Sequence, residues 1–136
     1  MVAGYQEYVL KKIKKAFIPT LMQVVWILSV VLVAYLSLAP KIPFPTNIEG
    51  IDKVYHSLAY LWLAAIPFLG FRRLGMALIS AFLMIPLGIA LEYGQRFLAM
   101  GRYFSTGDMI ANLIGVVAGI MLGMLFKARL TIGFQG

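Results

Sequence analysis

From Pro19 to Leu38 the chain carries no charged side chain at all. A helix rises about 1.5 Å per residue and the hydrocarbon core of a bilayer is about 30 Å thick, so a stretch of this length and character suits a membrane-crossing helix. Three more apolar runs follow, at about Val54 to Phe71, Gly75 to Leu91 and Met109 to Phe126. These are slightly short, and the polar residues at their ends are expected to complete each span. Composition agrees. Of 136 residues, 62% are hydrophobic and 12% are charged, with a mean hydropathy of +0.90. Soluble domains run at about 45–50% apolar and about 25% charged. A water-soluble globule this small could not hide so much apolar surface, and the same figures exclude disorder. The absence of cysteine removes disulfide scaffolds, thiol nucleophiles, Cys-based zinc sites and iron–sulfur clusters.

The expected fold is therefore all-α, a polytopic bundle of four transmembrane helices. Residues 1–18 form a basic lead-in, in which Tyr5, Val9, Ile13 and Phe17 recur at helical spacing among four lysines. This suits an amphipathic helix at the membrane interface that anchors orientation. Residues 19–126 make the transmembrane domain, and 127–136 a short tail. The first run exceeds the 7–15 residues of a typical signal-peptide core and is expected to stay as a helix. Pro67 and Pro86 lie inside apolar runs. Local kinks are expected there, with neighbouring helices satisfying the freed carbonyls. With four spans and a cytoplasmic N-terminus, Lys11, Lys12, Lys14, Lys15, Arg72, Arg73, Lys127 and Arg129 face inward, against Lys41, Lys53, Arg96 and Arg102 outside. That asymmetry favours both termini in the cytoplasm. The net charge of +7 is read as basic loops and contacts with anionic lipid, with no nucleic-acid partner.

The polar residues that a membrane protein keeps only at some cost gather at the ends of helices two, three and four that share one side. They are Asp52, His56, Glu92, Gln95, Arg96, Arg102, Asp108 and Asn112. Asp52, His56 and Tyr60 are spaced by four and share a helix face, Glu92 neighbours Gln95 and Arg96, and Asp108 precedes Asn112 by four. Asn112 leads into Gly115, Gly119 and Gly123, a small-residue stripe that lets another helix backbone approach. Its packing is expected within the chain. Ser105 or Thr106 is a candidate cap for the last helix, with Gly107 allowing the turn. The Pro40–Pro45 stretch is read as a stiff loop over the mouth. Intramembrane ionisable groups usually face the bundle interior or a wet cavity, and pair. An outward-facing pocket is expected.

The same residues carry a resemblance. The pattern D-K-x-x-H-x-x-x-Y (Asp52, Lys53, His56, Tyr60), then E-x-x-Q-x-F with G-R (Glu92, Gln95, Phe97, Gly101, Arg102), then D-x-x-x-N-x-x-G-x-x-x-G (Asp108, Asn112, Gly115, Gly119) resembles the VanZ-like membrane proteins, a family named after a teicoplanin-resistance factor. The likeness covers about Ile51 to Gly123. It implies a multi-pass protein of the bacterial cytoplasmic membrane and a cell-envelope role on membrane lipids or lipid-linked precursors. Antibiotic resistance itself does not follow from it.

On their chemistry, His56 suits a general base or nucleophile. Asp52 or Asp108 can orient its ring, and Glu92 can act as an acid. Arg102, Arg96 and Lys53 can hold a phosphate or carboxylate, with Gln95, Asn112 and Tyr60 completing a substrate-binding set. The substrate would be an amphiphile, either a lipid-linked phosphate or a glycolipid, and the reaction hydrolysis or transfer. Two other readings stand beside this one. The pocket binds lipid or a lipoglycopeptide, or modulates an envelope enzyme, without turnover. Alternatively, Asp52–His56, Glu92–Arg96 and Asp108–Arg102 pair as glue within or between helices. No metal is assigned. Asp52, His56, Glu92 and Asp108 offer mixed nitrogen and oxygen ligands, but no dense motif such as H-E-x-x-H is present. The sequence names no cofactor and no oligomeric state.

Overall fold

Proline sets two of the helix breaks, and at one of them a side chain from a neighbouring helix supplies the missing donor. The computed structural model describes residues 2–39, 50–97 and 105–132, with side chains for residues 6, 17–39, 50–97 and 105–129. All regular structure among them is helical: α1 (Val2–Leu38), α2 (Ile51–Ala65), α3 (Pro67–Gly70), α4 (Leu74–Phe82), α5 (Met84–Phe97) and α6 (Thr106–Ile132). Three helices are long and apolar enough to cross a membrane: Phe17–Leu38 within α1, Leu74–Phe97 across α4 and α5, and Thr106–Arg129 within α6. The expected all-α class is present among the described residues. The basic lead-in and the first apolar run form one helix, because Pro19 lies within α1 without ending it. The Pro40–Pro45 loop lies outside the described residues.

The second apolar run is divided between α2 and α3. Pro67 has no N–H to give the Leu63 carbonyl, the acceptor one turn earlier. Trp26 on α1 supplies the donor, its Nε1–H reaching Leu63 O at 2.9 Å. Ile66 keeps right-handed helical angles, and the Gly70 N–H reaches back to Ile66 O at 3.2 Å, so the chain continues as helix through the break. Beside it, the Trp62 indole donates to Ser29 Oγ at 3.1 Å. Pro86 acts in the same way on the third run. Helix α4 ends at Phe82, whose carbonyl would have received the missing N–H, and Leu83 tightens to ψ −17°.

Close approach of α2 and α6 is set by glycine. A Cβ at Gly115 would overlap the Ser57 carbonyl oxygen, one at Gly119 the Leu61 carbonyl oxygen, and one at Gly123 the Phe68 ring. The stripe therefore packs within the chain, as expected. The core beside it holds Tyr60, Leu63, Ala64, Phe68, Ala77, Ala81, Met84 and Val116. Trp26 and Phe71 meet edge to face, with ring centroids 6.1 Å apart. By contrast, the α1 face bearing Leu28, Val31 and Tyr35 is exposed, as a lipid-facing surface is.

The helix ends form two groups. At one end of the bundle, Gln95 Nε2 on α5 donates to Ser37 O near the end of α1 at 2.8 Å, and His56 near the start of α2 meets Asn112 near the start of α6. At the other end, Gln23 Nε2 donates to Gly70 O at 2.9 Å and Lys127 Nζ to Phe71 O at 2.6 Å. These two side chains satisfy carbonyls that the end of α3 leaves without intrahelical partners. Lys127 is thus more than a basic flank.

Candidate functional site

The first end is where the ionisable residues converge. Gly50, at φ +81°, takes the left-handed turn that admits the chain into α2. His56 follows on the second turn of α2, with its side chain 21% exposed. Its Nδ1 lies 3.1 Å from Asn112 Oδ1. The amide oxygen accepts, so Nδ1 carries a hydrogen, and in the neutral ring Nε2 then presents its lone pair. Nε2 faces Asp108 Oδ2 at 3.9 Å. Asn112 is buried and one helical turn beyond Asp108, so a single face of α6 both orients the ring and meets its far nitrogen.

Asp108 is placed by the start of α6. Ser105 Oγ accepts the Asp108 amide N–H at 3.2 Å, capping the helix. The Ser105 amide donates to Glu92 Oε2 at 3.4 Å. Glu92 is 1% exposed on α5. Asp108 Oδ1 is shut off from solvent and has no hydrogen-bond partner among the described residues. Lys53 Nζ lies 3.9 Å from it. One ligand-type atom each from His56, Glu92 and Asp108 lies within 4.8 Å of the others. Three helices, α2, α5 and α6, thus deliver one imidazole and two carboxylates to one spot.

An open cavity of about 400 Å³ adjoins His56, lined by Val33, Leu36, Ser37, Asp52, Tyr55, Ala59 and Tyr60 from α1 and α2. A smaller apolar one of about 230 Å³ lies between α5 and α6 and reaches Asn112. The polar cluster is therefore flanked by apolar grooves on two sides.

Some residues singled out in the sequence make other contacts. Asp52 does not orient His56. It sits in the first turn of α2, its side chain 57% exposed, and pairs with Lys53 at 3.4 Å. Arg96 is exposed and forms no ion pair with Glu92, although their spacing allows one. Gln95 is spent on the Ser37 carbonyl and holds α1 to α5. Tyr60 is 2% exposed and packs against Gly88, where a Cβ would lie 3.1 Å from its ring. Arg102, and with it any pairing to Asp108, lies outside the described residues. Sequence reasoning missed the walls supplied by α1, because Val33 and Leu36 look like any other lipid-facing positions. It also gave Ser105 only a capping role, not its second bond to Glu92.

No family model matches the chain, and no solved structure matches it. It is similar to an uncharacterized protein of the fission yeast Schizosaccharomyces pombe, 31% identical over 108 residues. The match covers 77% of this chain and 64% of the relative, so the chain spans less than two thirds of that protein's length. The relative belongs to a eukaryote, and this overturns the bacterial cytoplasmic membrane as the location. The physical reason is that charge asymmetry around apolar helices orients a chain within a membrane and carries no label for which membrane that is.

Proposed function

We propose that the chain crosses its membrane four times and uses the cluster at one end of the bundle to act on an amphiphile, a lipid-linked phosphate or a glycolipid. The observation carrying this is the convergence of His56, Glu92 and Asp108 within 4.8 Å, beside an apolar cavity of about 400 Å³. Helices α2 and α3 together make the fourth crossing, since helical angles persist through Ile66 and the pair is about 30 Å long. Four crossings put both termini on the same face of the membrane. A lipid tail lies in the cavity and its headgroup meets the cluster. The His56 imidazole, held by Asn112, takes a proton from the attacking water or hydroxyl at Nε2. Asp108 stabilises the imidazolium that results. Lys53 neutralises headgroup charge, a role the sequence also gives Arg102. The resemblance of the three-part motif to VanZ-like proteins belongs to this reading.

The test is a panel of lipid phosphates and glycolipids incubated with purified wild-type protein and with His56→Ala, with and without divalent metal. Headgroup release is read by mass spectrometry. The expected result is turnover of at least one lipid by the wild type, falling by 10²-fold or more in the variant, about what is lost with a general base. Absence of turnover under both conditions contradicts the enzymatic reading. Retained lipid affinity would then favour a binding role.

A further inference from the structure

We propose that His56 Nε2, Glu92 and Asp108 bind a divalent transition-metal cation, Zn²⁺ or Mn²⁺. This rests on the reading above and revises it at one atom: a cation on Nε2 takes the lone pair that otherwise accepts the proton, so His56 then serves as a ligand and not as the base. Metal binding needs no lipid and is tested apart from turnover.

Four observations point the same way. The first is distance. Ligand atoms around a tetrahedral ion with bonds of about 2.1 Å lie about 3.4 Å apart. His56 Nε2 and Asp108 Oδ2 are already 3.9 Å apart, and the full set lies within 4.8 Å, so small side-chain rotations close the site. The second is the tautomer. The Asn112 amide oxygen accepts a hydrogen bond from Nδ1–H, and in the neutral ring this leaves the Nε2 lone pair aimed at the carboxylates. Metal-binding histidines are held in this way by a second group on the far nitrogen. A neutral imidazole and a carboxylate facing each other at 3.9 Å are too far apart for a hydrogen bond, and a cation between them satisfies both. The third is Asp108 Oδ1, a carboxyl oxygen closed off from solvent with no hydrogen bond among the described residues. Such an atom is costly to keep unless something positive reaches it. Lys53 stands at 3.9 Å, short of a bond, and is shared with Asp52 at 3.4 Å.

The fourth is the donor set. One imidazole nitrogen and two carboxylates suit Zn²⁺ or Mn²⁺ better than the softer ions that prefer sulfur. Three protein ligands from three helices leave coordination positions open, the arrangement of catalytic rather than structural sites. Those positions are free for water or for a substrate oxygen.

The test uses the whole chain in detergent or lipid nanodiscs, with any purification tag removed and metal stripped by chelation. Titration with Zn²⁺ followed by calorimetry is expected to show one equivalent bound per chain. His56→Ala and Asp108→Asn are expected to weaken binding by 10²-fold or more, and Asn112→Ala by about 10–100-fold. Arg73→Ala, at the other end of the bundle, leaves it unchanged. Because His56 is the only histidine, X-ray absorption of the Zn²⁺-loaded wild type decides the matter even if a variant fails to fold. One imidazole with oxygen ligands is expected. No binding by the wild type, or bound zinc without imidazole, overturns the proposal. Lipid turnover that persists after chelation overturns the metal's part in catalysis but leaves the lipid reading intact. Metal binding without turnover does the reverse.

Discussion

Asp108 occupies the third position of α6, where an acid following a capping serine often turns back to bond the cap residue's own amide. Here that amide donates to Glu92 instead, and the Asp108 carboxylate is left facing His56 and Lys53. Ser105 thus holds two site residues at once, Asp108 through its hydroxyl and Glu92 through its amide. Ser105→Ala keeps the amide and loses only the hydroxyl. It is expected to lower stability by about 1 kcal/mol, as loss of a cap does, read by thermal unfolding in detergent. A stability unchanged from wild type would mean that the cap bond contributes nothing. At this scale the sequence was legible where spacing along one helix was enough. His56, Glu92, Asp108 and Asn112 were all nominated, and they do gather. Spacing misled for Asp52 and Arg96. Both lie one turn from a site residue, but at helix ends where water and Lys53 compete for them. The His56–Asn112 bond spans 56 residues of chain, and nothing in helical periodicity announces a partner at that separation.

Between elements, glycine and proline carry most of the information. The Gly115–Gly119–Gly123 stripe predicts a close helix partner, and α2 with α3 is that partner. Gly119→Val places side-chain atoms on the Leu61 carbonyl and is expected to cost about 2 kcal/mol or more, since a clash with backbone relaxes poorly. Gly75→Ala, where a Cβ meets nothing, is the matched control and is expected to be neutral or to stabilise by about 0.5–1 kcal/mol. Unfolding of both variants in the same detergent checks the contrast. Equal stability would mean that α2 and α6 do not meet through these glycines. The expectation that neighbours repair proline breaks is met at Pro67 by Trp26. Which residue would do it was not legible, because an indole in an apolar helix reads as packing or as part of an interfacial belt until its partner is known. The division of the second run into α2 and α3 has the same origin in Pro67, since hydropathy registers the apolar side chains but not the lost N–H.

For the whole molecule, the account rests on topology. Helices that meet at one end bring together residues from Ile51 to Asn112 in the sequence, and everything proposed about chemistry follows from that meeting. The all-helical membrane class was legible from composition because apolar content is a bulk property. The kind of membrane was not, because lipid-facing residues read the same in any bilayer. The absence of native cysteine makes the central claim directly testable. Paired variants His56→Cys/Asp108→Cys and Glu92→Cys/Asp108→Cys, treated in membranes with a short bifunctional thiol reagent, report on α2–α6 and α5–α6 separately, by mass spectrometry of the linked peptides. Both pairs are expected to link efficiently, while His56→Cys/Arg72→Cys, with its residues at opposite ends of α2–α3, does not. Failure of either site pair to link above that control would contradict the convergence on which the account depends.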